Sequence, residues 1–119
     1  MRYLVLLAED PQAWDRASES ERQEVHRRHV AFDRAVRERG RLLGGEALAR
    51  GDTATTLRPE AGEHVVTEGT FAETSRQVAG FYLIDVDDLD VAVELCRLLP
   101  SGYTIELRPT IEVEGATGA

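Results

Sequence analysis

The sequence predicts a single α+β domain, and three observations carry that expectation. Strand-like apolar runs stand near both ends and in the middle of the chain, one long amphipathic helix follows the first run, and a shorter helix separates the last two. Residues 2–8 (RYLVLLA) open the domain as a strand that is apolar on both alternating faces, Tyr3, Val5 and Leu7 on one and Leu4 and Leu6 on the other. Both faces therefore call for cover. Asp10-Pro11 breaks this strand. Ser18 and Glu21 then have the spacing of a capping box, in which the serine hydroxyl and the glutamate carboxylate satisfy two of the free N–H groups that begin a helix. The helix runs to Gly40, a residue suited to a C-terminal cap. Within it Val25, His29, Phe32 and Val36 recur at offsets of four, three and four, which places them on one stripe.

Residues 41–49 (RLLGGEALA) read as a second strand with a bulge or a close backbone approach at Gly44-Gly45. Residues 54–58 and 63–67 flank Pro59-Glu60-Ala61-Gly62, a turn-rich spacer suited to a β-hairpin, and a loop follows over 68–77. Residues 78–86 (VAGFYLIDV) form the strongest strand in the chain. Asp87 or Asp88 caps a short helix whose apolar stripe is Leu89, Ala92, Val93, Cys96 and Leu99, and Pro100 ends it. Residues 103–113 alternate, with Ile105, Leu107, Ile111 and Val113 on one face and Glu106, Arg108 and Glu112 on the other. Residues 1–114 thus make one domain, and 115–119 are expected to be a disordered tail. The order strand, long helix, strand, hairpin, strand, helix, strand matches a ferredoxin-like split βαβ arrangement with an inserted hairpin, both helices on one face of an antiparallel sheet. The other face is too apolar for water. A second copy of the same sheet covers it most simply, so a homodimer is expected.

Composition narrows the function. The chain has 119 residues, 42% of them hydrophobic, which suffices for one core and no more. No apolar run approaches the roughly 20 residues of a membrane span, and a formal charge of -8 repels phosphate backbones and anionic lipid, so neither membrane nor nucleic acid is an expected partner. A single cysteine, Cys96, cannot pair within the chain, and Met1-Arg2 leads straight into a strand without the segments of a signal peptide; the cytoplasm is the expected location. All 14 residues in the Lys+Arg count are arginine. Schiff-base chemistry, pyridoxal phosphate attachment and a phosphate-loop lysine each need the absent amine. There is no glycine-rich dinucleotide fingerprint, no G-x-S-x-G elbow and no HExxH or CxxC pattern, so neither a cofactor nor a metal is expected.

The segment TEGTFAET (67–74), followed by GFYLIDVDDLD (80–90), resembles the YCII-related family, in particular its DGPF branch, where T-D-G-P-F-A-E-T precedes G-F-Y-L-I-D-V-D-D-L-D. The opening strand, the His29-to-Phe32 spacing and the closing Glu106-Leu107-Arg108-Pro109 are also similar, so the likeness covers nearly the whole chain. Two residues depart from the motif. Glu68 stands for the family's Asp and shifts the carboxylate by a methylene, and Thr70 stands for its Pro and gives up a fixed φ. The resemblance implies a dimeric α/β barrel with a pocket in each subunit, related in fold to small lyases, isomerases and monooxygenases. Activity is mostly unassigned there, although some similar proteins are histidine-dependent dehydrochlorinases.

His29 is the first candidate residue, because it interrupts an apolar stripe and so faces the sheet. It either lines a pocket as general base or acid, or is a core histidine tied to a carbonyl or carboxylate. Asp33, one turn on, either fixes the imidazole or pairs with Arg37. Glu68 and Glu73 lie on the long loop and either orient His29 or a substrate or are simply solvated, and Phe71 between them is a candidate substrate contact. Arg108 either clamps a carboxylate or joins a cross-strand ion pair, and the Tyr82 hydroxyl either reaches the cavity or belongs to the core. Cys96, on the inner stripe of its helix, is expected to act as a small apolar side chain. The leading expectation is a cofactor-independent lyase or isomerase that moves a proton on a small carbonyl- or phenol-bearing molecule: His29 transfers the proton, Glu68 or Glu73 orients it, and Arg108 or Tyr82 holds developing charge. The alternative is a non-catalytic small-ligand sensor or protein-interaction module.

Overall fold

The computed structural model describes residues 1–71 and 75–115. Six strands and three helices follow one another as β1 (Arg2–Glu9), α1 (Ala13–Arg16), α2 (Glu19–Arg39), β2 (Arg41–Ala47), β3 (Thr55–Glu60), β4 (Glu63–Glu68), β5 (Gln77–Asp85), α3 (Leu89–Cys96) and β6 (Thr104–Pro109), with a 3-10 turn at Gly51–Thr53. The main sheet has the order β2-β5-β1-β6, antiparallel throughout, and β3 and β4 form a separate hairpin. This is the expected ferredoxin-like α+β arrangement with an inserted hairpin.

The long helix starts as its sequence dictates. Glu21 N–H donates to Ser18 Oγ at 3.1 Å, and Ser18 N–H donates to the Glu21 carboxylate at 3.0 Å, which closes the capping box. Gly40 ends the helix, its N–H on the Val36 carbonyl at 2.8 Å. A Cβ at Gly40 would lie 2.3 Å from the Asp85 carbonyl oxygen, so the helix can turn into β2 against β5 only with glycine there. On the inner stripe Phe32 and Val36 are fully buried against Tyr3, Val5 and Ile84, while Val25 and His29 are half-buried. Among the described residues no helix is long and apolar enough to cross a membrane.

Several details differ from expectation. A short helix, α1, follows the Asp10-Pro11 break. The hairpin turn is only Ala61-Gly62, both at positive φ (51° and 84°), the pattern of a two-residue hairpin turn; Pro59 and Glu60 are paired with His64 and Glu63 inside the ladder. The final strand stops at Pro109 because its neighbour β1 begins at Arg2, and Ile111 and Val113, expected on its apolar face, are exposed beyond it. On α3 the buried stripe is Ala92, Leu95, Cys96 and Leu99, whereas Leu89 and Val93 are exposed. Asp88 is the residue that caps this helix, through Val91 N–H at 3.0 Å. The expected disordered tail falls, from residue 116 on, outside the described residues.

The molecule is a thin slab. Its extents are 48 × 44 × 18 Å, the smallest being the depth of one helix layer on one sheet. Its radius of gyration, 16.4 Å, exceeds the roughly 13.5 Å of a compact chain this long, because the hairpin makes its main contacts within itself and extends the outline. Leu4, Leu6, Phe81 and Leu83 share the sheet face away from the buried core and are half-buried, and among the described residues no helix is laid over them.

Candidate active site

His29 faces the sheet, as its place on the stripe requires, and is held between two phenols. Its Nδ1 lies 2.6 Å from Tyr82 Oη and its Nε2 lies 3.0 Å from Tyr103 Oη. Both distances are those of real hydrogen bonds. Burial, and then the nearby His26, hold the imidazole below the ordinary histidine value, so it is neutral at pH 7. Burial raises the Tyr82 hydroxyl, with Asp33 adding to the effect, and it pushes Tyr103 up to about 12, with Glu9 and then Tyr82 adding to it. All three groups therefore stay uncharged at rest.

The scaffold around this triad is specific. Tyr82 lies on β5 with its ring 4.7 Å from that of Phe32, and its cross-strand neighbour on β2 is Gly45. A Cβ on Gly45 would come within 2.6 Å of the Tyr82 ring and 3.0 Å of the Phe81 carbonyl oxygen. The close approach foreseen at the glycine pair is thus a seat for Tyr82, and the bulge falls beside it, between Leu42 and Gly44. Tyr103 stands just before β6, edge-on to the imidazole at 5.6 Å.

Two clefts meet at His29. One, about 290 Å³, runs over Gly45, Ala47, Gly80 and Tyr82. The other, about 520 Å³, is walled by Trp14 and Pro11 from the α1 region, Val25 and His26 from α2, Leu48 and Arg50 after β2, and Glu9 at the end of β1. His29, Ala47, Ala79 and Tyr103 line both. The hollow exists because the strand residues opposite the first half of α2 are small. Its size is that of small-molecule sites in general.

Of the residues singled out in the sequence, the structure joins His29 and Tyr82. Glu68 is exposed on β4, Phe71 is 77% exposed with its carbonyl bonded by Arg58, and neither lines a cleft at His29. Arg108 is exposed on β6 and pairs with Glu106 at 3.3 Å. Asp33 pairs with Arg37 at 2.7 Å. Glu73 lies outside the described residues. Cys96 is buried, its thiol pushed up to about 11 by burial, as fits a packed side chain. Sequence reasoning missed Tyr103 and Glu9. The signal for Tyr103 was present: it shares the inner face of the last strand with Ile105 and Leu107.

A four-stranded antiparallel sheet with two helices on one face, and a neutral histidine at the meeting of two clefts, defines a small ferredoxin-like α+β domain with a half-buried polar site. The chain belongs to the YCII-related domain family, whose model matches residues 1–112. It is also similar to an uncharacterised protein of Rhizobium meliloti (strain 1021), 40% identical over 113 residues that span 92% of this chain and 91% of that protein.

Proposed function

We propose that the protein is a cytoplasmic homodimeric enzyme of lyase or isomerase type, which uses His29 to move a proton on a small carbonyl- or phenol-bearing molecule without a cofactor. The observation that carries this reading is the pair of hydroxyls on the two ring nitrogens. A phenol hydroxyl can donate or accept, so the neutral ring keeps both hydrogen bonds in either tautomer, and the charged ring donates to both. The imidazole can thus gain and lose a proton with no partner left unsatisfied.

Tyr103 lines both clefts and is hydrogen-bonded to His29 Nε2, so it can pass a proton between a substrate and the ring. In the base direction a substrate C–H bond breaks, the proton bonds to Tyr103 Oη, and the hydroxyl proton already there passes to His29 Nε2. Nδ1–H then donates to Tyr82, and the electron pair left on carbon moves onto the substrate oxygen. Return of the proton at another carbon completes an isomerisation; loss of a leaving group completes an elimination.

Assembly belongs to the same proposal. The apolar outer sheet face and the slab shape support a second subunit as cover. Glu68 and Phe71 on the hairpin side and Arg108 on β6 take part in the reaction in this reading only through that assembly. The test is His29→Gln, checked for fold and dimeric state: turnover of an identified substrate should fall by at least about a hundredfold. Unchanged turnover would remove the proposal, and saturable binding without turnover in the native protein would make it a ligand sensor.

A further inference from the structure

The larger cleft contains a carboxylate that proton transfer leaves unused. Glu9 ends β1 just past the register shift between Leu7 and Ala8, and its side chain lines the 520 Å³ cleft. It is half-buried and makes no hydrogen bond or ion pair with another described residue. Asp10 and Arg76 act on it only through space, and Arg76 directs one Nη to the Gly102 carbonyl at 3.1 Å. Burial accordingly raises Glu9 above the ordinary carboxylate range, with Asp10 adding to it. The basic side chain on this wall, Arg50, is engaged by Asp15. Two imidazoles, His26 and His29, also line it, and the rest of the wall is mainly apolar, with Trp14, Pro11, Leu48 and Val78.

A partly desolvated carboxylate with no hydrogen-bond partner among the described residues, in an apolar cleft whose Arg50 is already paired with Asp15, is matched by a ligand that brings hydrogen-bond donors, and better still by one that brings positive charge. We propose that this cleft takes a flat apolar molecule ending in an amidine-, amine- or amide-like nitrogen group, that Glu9 accepts the N–H of that group, and that carboxylic acids are refused. Ala8 pairs with Thr104 across the strands, which places Glu9 beside Tyr103. A nitrogen group on Glu9 therefore stands next to the hydroxyl that leads to His29. This names the substrate class of the proton-transfer reading and rests on that reading only for the word substrate.

The chain contains one tryptophan, and Trp14 is on the cleft wall, so its fluorescence reports occupancy directly. Benzamidine, benzamide and benzoate share a ring and differ in charge. Titrated into the wild-type protein, with equilibrium dialysis as a second readout, benzamidine should bind at least about tenfold more tightly than benzamide, the gain of a charge-assisted hydrogen bond, and benzoate should bind weakest. In Glu9→Gln, benzamidine should fall to the level of benzamide while benzamide holds. His29→Gln should leave the order of the three unchanged, so a failure of proton transfer and a failure of this assignment read out separately. Benzoate equal to or tighter than benzamidine, no binding of any probe, or Glu9→Gln binding benzamidine as the wild type does would overturn the proposal.

Discussion

One face of α2 builds two unlike regions. Its second half is solid: Phe32 and Val36 are fully buried against Tyr3, Val5 and Ile84. Its first half presents Val25 and His29 on the same stripe, but the strand residues across from them are Gly45, Ala47, Ala79 and Gly80, and two clefts open there. The helix pattern is identical along its length. The sheet makes the difference, since large side chains opposite the stripe yield a core and small ones leave a hollow with a polar group at its edge. A site in this fold is made by removing volume from β2 and β5, and the buried half of the helix supplies the rigidity that holds His29 in register.

That contrast can be broken from the packed side first. Phe32→Ala should cost about 3–5 kcal/mol, because a fully buried ring leaves a void, whereas Val25→Ala beside the hollow should cost less than about 1.5 kcal/mol. Urea denaturation of both variants measures the gap, and equal costs would mean the two halves are packed alike. A smaller effect is expected from Gly45→Ala. The added Cβ meets the Tyr82 ring and the Phe81 carbonyl, so about 1–3 kcal/mol should be lost, together with the contact between Tyr82 and His29. A crystal structure of the variant with Tyr82 unmoved would show that the glycine is not its seat.

The smallest effect is a matter of pH. His29 lies below the ordinary value of 6.5 in the folded state, so between the two values the unfolded chain binds a proton that the folded one refuses. Its contribution to stability is therefore full above 6.5 and declines as pH falls through the window beneath. Glu9, raised above 4.5, has the opposite sign and declines as pH rises, but it is common to both proteins compared. Denaturation midpoints between pH 7 and 5 should thus drop more for the wild type than for His29→Gln. Parallel profiles would mean the imidazole gains its proton as readily folded as unfolded.

Much of the fold was readable because its signals are local. The Ser18–Glu21 box, the stripe through His29 and the apolar run of β5 each need only neighbours in sequence. The end of β6 was not, since nothing in 103–113 says that β1 begins at Arg2, whose carbonyl takes the last cross-strand bond, from Thr110 N–H at 2.9 Å. The site divides the same way. His29 was visible from its own helix, and Tyr82 from its own strand. The hollow was invisible because Gly45 and Ala47 stand across from Tyr82 and Gly80 only once β2 and β5 are in register, with a bulge between Leu42 and Gly44 setting it. Tyr103 escaped for a similar reason: it is 74 positions from His29 and is brought there by the pairing of β6 with β1. Glu68, Phe71 and Arg108 drew attention as motif or strand residues, and they stand on exposed surfaces.

The most direct test is to follow the ring nitrogens of His29 by 15N NMR across pH. A ring half-buried between Tyr82 and Tyr103 at the edge of a hollow should be neutral at pH 7, with a titration midpoint below 6.5. A midpoint at or above 6.5, where a freely solvated imidazole titrates, would contradict the account.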